Sequence, residues 1–105
     1  MNNRFERVWE NLSQQLRPRM SVRNWGAAHG YTGGTFEIKD VERTAVTVTG
    51  GDMQVSRRIS KGEFEKVRAI WDAYAAGNYP RSKLTSLSQN TTYIISIFQL
   101  LAGNR

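Results

Sequence analysis

Thr35-Phe36-Glu37-Ile38-Lys39-Asp40-Val41 sets Phe36 and Ile38 against Glu37 and Lys39. Apolar and polar side chains that alternate at period two lie on opposite faces of an extended chain, so this run reads as a half-buried strand. Two more runs follow. Residues 44–49 set Val46 and Val48 against Thr47 and Thr49. Gly50-Gly51-Asp52 signals a turn, and residues 53–59 put Met53, Val55 and Ile59 on one face and Gln54, Ser56 and Arg58 on the other. The simplest assembly is a three-stranded antiparallel meander with one apolar face, and that face needs helices to cover it.

Helices are available on both sides. Phe5, Val8, Trp9, Leu12 and Leu16 recur at helical spacing, and Pro18 stops the run. Ser60-Lys61-Gly62-Glu63 has the form of a capping box, which satisfies two orphan N–H groups at a helix start. Phe64, Val67, Ile70, Trp71 and Tyr74 continue that helix, which ends at Gly77-Asn78 with Pro80 beyond. Residues 81–101 read as a short helix, a polar break and a longer helix with Ile94, Ile97, Phe98 and Leu101 on its stripe. The β-branched cluster at residues 93–98 also suits a strand, and the helix is preferred. Residues 18–34 read as a long loop. They hold Gly26, Gly30, Gly33 and Gly34 beside Arg19, Arg23, Trp25, His29 and Tyr31. The expected fold is α+β, one domain over residues 1–105: an N-terminal helix, the meander, then helices.

Composition narrows the function. The chain has 105 residues, 39% hydrophobic and 10% aromatic, enough for a modest core. It has no cysteine, which excludes disulfides, thiolate metal sites and a cysteine nucleophile. His29 is the only histidine, no serine sits in a nucleophile-elbow context, and no phosphate loop is present. Glu37-Ile38-Lys39 matches half of a metal-dependent nuclease motif, but the aspartate expected upstream is missing; only Glu6 and Glu10 precede it. The expectation is a non-catalytic protein without cofactor or metal. The start lacks the apolar core of a secretory leader, and no apolar run is long enough to span a bilayer. A cytoplasmic location with no membrane partner is expected.

The net charge is +6. Residues 1–30 carry five arginines and two glutamates, residues 31–60 four cations and four acids, and residues 61–105 six cations and three acids. The two ends are therefore basic and the middle neutral, a balance that favours polyanions, nucleic acid first. Solubility alone is the competing explanation, since a net charge of about 2–8 is ordinary for a small domain.

Residues 81–101 resemble a helix-turn-helix in general form. The resemblance implies that Leu84 and Leu87 pack the first helix, Ser88-Gln89-Asn90 make the turn, and the second helix enters the major groove. Gln89 and Asn90 would then read base edges, Thr91 and Thr92 would touch phosphate or a thymine methyl, and Arg81 and Lys83 would hold phosphates. The same Ser, Gln, Asn and Thr residues are also what helix capping favours. Arg19 and Arg23, with the aromatic residues of their loop, suit stacking on exposed bases. Arg58 is the outward member of Arg57-Arg58, while Arg57 shares the face of Val55 and Ile59. The function expected is nucleic-acid binding, DNA favoured over RNA, in an accessory or regulatory role. The alternative is a protein-interaction or self-associating module that exposes the stripe of residues 93–101. A catalytic role for Glu37 with Lys39, or for His29, is the weakest reading.

Overall fold

In the computed structural model the chain is described over residues 3–50 and 55–103. The order is α1 (Asn3–Gln15), β1 (Ser21–Gly26), β2 (Gly30–Val41), β3 (Ala45–Thr49), β4 (Arg57–Ser60), α2 (Lys61–Ala75), a 3-10 turn (Arg81–Ser86) and α3 (Thr91–Gly103). The strands form one antiparallel sheet in the order β1-β2-β3-β4.

The alternation behind the meander is realised in register. Ile38 lies opposite Val48, and Val46 opposite Ile59. Val22, Phe36, Ile38, Val46, Val48 and Ile59 are all buried. The helices cover that face in a single core with Phe5, Trp9, Leu12, Phe64, Val67 and Ile94. Edge-to-face rings tie the elements together: Trp9 of α1 meets Phe64 of α2 at 5.3 Å between centroids, and Phe36 of β2 meets Tyr93 of α3 at 5.2 Å. Trp9 also donates its indole N–H to the Arg43 carbonyl at 2.9 Å, fixing α1 to the β2–β3 turn.

Three expectations are corrected. The sheet has four strands, because the glycine-rich segment is a hairpin rather than a loop. Val22 turns inward and Arg23 outward on β1. Gly26 pairs with Gly30 around a tight end, and Gly30 takes a φ of 71°, which glycine adopts without steric cost. Second, β4 begins at Arg57, and Val55 is 76% exposed rather than part of the inner face. Met53 and Gln54, with Gly51 and Asp52 of the expected turn, lie outside the described residues. Third, residues 81–86 wind as a 3-10 turn, so no pair of α-helices forms at the end of the chain.

The preferred helix over residues 93–98 is present in α3, and this stretch of it lies in the core. Ile94, Ile95, Ser96, Ile97 and Phe98 are consecutive buried residues. A helix apolar around most of its circumference belongs inside a protein. Ser96 lies in this interior because its hydroxyl has two roles. It donates to the Thr92 carbonyl at 3.0 Å and accepts the Trp25 N–H at 3.0 Å. The second bond satisfies a backbone donor on the outer edge of β1, where no further strand pairs.

Candidate nucleic-acid interface

Glu63 organises the region expected to read DNA. It is the third residue of α2, and Ser60 is its N-cap. One carboxylate oxygen accepts the Ser60 N–H at 2.8 Å. The other accepts the Ser88 hydroxyl at 2.6 Å and the Asn90 amide at 3.0 Å. Ser60 Oγ accepts the Glu63 N–H in return at 3.3 Å. One capping box thereby ties the start of α2 to the start of α3. Burial pushes the Glu63 carboxyl up, but the bonds from Ser88, from Ser60 and from Asn90 outweigh it. The carboxyl ends below its ordinary value.

This network accounts for much of the helix-turn-helix likeness. Asn90 is 9% exposed, and its amide is engaged by Glu63. Thr91 is 4% exposed and donates its hydroxyl to the carbonyls of Ser88, at 2.7 Å, and Leu84, at 3.0 Å. Both side chains lie inside the fold, and α3 presents its apolar stripe to the sheet. The stripe that an interaction module would display is thus enclosed by the chain itself, with Ile94 and Phe98 buried. Gln89, Thr92 and Lys83 are exposed; the Arg81 side chain lies outside the described ones.

The other expected residues fall on the sheet. Arg58 and Arg57 are both exposed. Arg58 makes a forked pair with Glu42, Nε to Oε2 at 3.0 Å and Nη2 to Oε1 at 3.3 Å. That hydrogen bond and the Glu42 charge raise the Arg58 pKa. The pair neutralises the guanidinium locally but leaves the Arg58 side chain 57% exposed. Elsewhere on the exposed sheet surface, Lys39 has Glu37 and Asp40 beside it.

Arg19 and Arg23 differ. Residues 11–36 contain no acidic side chain, yet they hold Arg17, Arg19 and Arg23. All three are exposed, on the lead-in to β1 and on β1 itself, with no ion pair to described residues. Arg19 has a φ of 74°, unusual for a residue with a Cβ. Its N–H bonds the Ile38 carbonyl at 2.7 Å, and Ile38 returns a bond to the Met20 carbonyl at 2.8 Å. These bonds hold the turn against β2. The Arg23 guanidinium lies 4.4 Å from the centroid of the Tyr31 ring, and Tyr31 is 46% exposed. Cation and ring steady one another by cation–π attraction, and both stay open to solvent. Tyr31, one of the aromatic residues expected to stack beside Arg19 and Arg23, is exposed next to Arg23. The acid-free stretch was the readable signal of this surface.

Comparison of the chain with protein-family models, curated proteins and solved structures finds no match. Among the described residues, no group of His, Asp and Glu side chains could hold a metal ion, and no helix is long and apolar enough to cross a membrane.

Proposed function

We propose that this chain is a non-catalytic nucleic-acid-binding domain that holds single-stranded DNA or RNA along the β1–β2 arm. The observation that carries the reading is the set of exposed arginines Arg17, Arg19 and Arg23, none in an ion pair with a described residue, with Arg23 stacked on an exposed tyrosine and Glu37 the acid that β2 places opposite Ser21. Arginines supply phosphate contacts, and an aromatic face supplies sequence-tolerant stacking on unpaired bases. Helix insertion into a major groove is disfavoured, because α3 is the core of the fold and Asn90 and Thr91 are engaged internally.

The test compares a single-stranded oligonucleotide, the same sequence as duplex, and RNA, by fluorescence anisotropy at low salt. Single strands should bind more tightly than duplex. Tyr31→Ala should weaken single-strand binding by about tenfold, the scale of one lost base–aromatic stack. Preference for duplex, or losses confined to Lys83→Ala and Gln89→Ala, would return the interface to the C-terminal segment and defeat the proposal.

A further inference from the structure

A cleft of about 500 Å³ opens between the tip of the β1–β2 hairpin, the end of α2 and the start of α3. Its size lies within the range of sites that enclose small organic ligands. Trp25, Tyr74 and Tyr79 give it aromatic walls, while Asn24, His29 and Thr92 add polar groups. The mouth is braced rather than loose. Tyr74 OH accepts the Ala27 N–H at 3.0 Å, tying the hairpin tip to α2. Trp25 is wedged against Trp71, at 5.8 Å between centroids, and edge-on to Tyr74 at 6.2 Å.

Asn24 is the informative group. Two steps along β1, from Arg23 to Trp25, are matched by four along β2, from Thr35 to Tyr31. Asn24 sits at this irregularity. Its carboxamide lies against Gly34, where a Cβ would come within 2.6 Å of Nδ2. Its Oδ1 is closed to solvent and accepts no hydrogen bond among the described residues. A buried acceptor left unmatched is a place where a ligand or a water can supply the missing donor. The terminal torsion of an asparagine is broad, so the carboxamide can turn toward the cleft without leaving its rotamer well. There it can accept from and donate to a ring edge at once, as carboxamides do with nucleobases.

We infer that this cleft binds a planar heteroaromatic ring of the nucleobase class, gripped between aromatic walls and read on one edge by Asn24. The ring can come from a free nucleoside or from an unpaired base in a strand. The inference does not depend on the proposed function, because the cleft and the arginine surface can each act alone.

Calorimetric titration of the full chain with adenosine, guanosine, cytidine and thymidine, and separately with short single-stranded oligonucleotides, tests it. Two variants are used: Asn24→Ala, which removes the reading group, and Thr92→Phe, which fills the cleft from an exposed helix position and keeps the test valid if the first variant misfolds. Binding of either probe class that falls about tenfold or more in each variant that folds supports the inference. Nucleoside binding without oligonucleotide binding also supports it, assigns the ring to a free ligand, and defeats the proposed function. Oligonucleotide binding that survives both variants but is lost in Arg23→Ala overturns the cleft and leaves the proposed function standing. Absence of both overturns both.

Discussion

Removing the Glu63 carboxylate tests whether the C-terminal segment is structural. In Glu63→Ala the Ser60 N–H, the Ser88 hydroxyl and the Asn90 amide each lose an acceptor. A hydrogen bond to a charged group contributes roughly 1.5–3 kcal/mol, but these donors are only partly enclosed and water replaces some of the loss. Taking about 1 kcal/mol for each, and adding a few tenths for an acid lost from a helix start, gives a destabilisation of about 3 kcal/mol. That corresponds to a drop in Tm on the order of 15 °C for a domain of this size. Glu63→Gln should behave differently. Its oxygen can still cap Ser60, and its amide can donate to Asn90 once that carboxamide turns over, giving the otherwise unpartnered Asn90 Oδ1 a donor. The charge assistance is lost and the Ser88 hydroxyl loses its acceptor, together about 1–2 kcal/mol. Thermal unfolding followed by tryptophan fluorescence and by circular dichroism measures both variants. A loss below about 0.5 kcal/mol in Glu63→Ala, or equal losses in the two variants, would refute the account.

Other outcomes follow from the same geometry. Because the Glu63 carboxyl is held below its ordinary value in the fold, its contribution is fully present above the unfolded carboxylate pKa and fades as pH falls through the lower folded value. Urea unfolding across acidic pH should show that component in the native chain and lack it in Glu63→Gln. Ser96→Ala should cost about 1–3 kcal/mol in urea unfolding, since it leaves the Trp25 N–H without its acceptor on the enclosed edge of β1. Gly30→Val should destabilise the hairpin, because the position has a φ of 71° that β-branched residues avoid; amide exchange of the β1–β2 pair should accelerate.

Much of the fold was legible because its signals were local. Alternation at Phe36-Ile38 and Val46-Val48, the box at Ser60-Glu63 and the stop at Gly77 each depend on near neighbours, and each is found where expected. The fourth strand was not legible. Gly26, Gly30, Gly33 and Gly34 read as a loop because glycine weakens strand propensity, and part of what holds Ser21–Gly26 in place is distant: the Ser96 hydroxyl, 71 residues along the chain from Trp25. Val55 shows the same limit from the other side, since alternation alone could not tell where β4 would leave the sheet. The binding surface was half legible. Arg19 and Arg23 stood out by charge and aromatic company. Asn90 and Thr91 did not reveal that they serve Glu63 and the 3-10 turn, because capping residues and base-reading residues are the same amino acids. The cleft at Asn24 depends on the bulge opposite Gly34, which has no sequence signature of its own.

The most direct test of the central claim is a salt series of single-stranded oligonucleotide binding to the native chain and to the Arg19→Ala/Arg23→Ala double variant. If both arginines neutralise phosphates, the double variant should bind more weakly, and its log–log salt slope should be shallower by about 1.4, the release expected for two contacts on a single strand. An unchanged slope with unchanged affinity, or no binding by the native chain at low salt, would contradict the account.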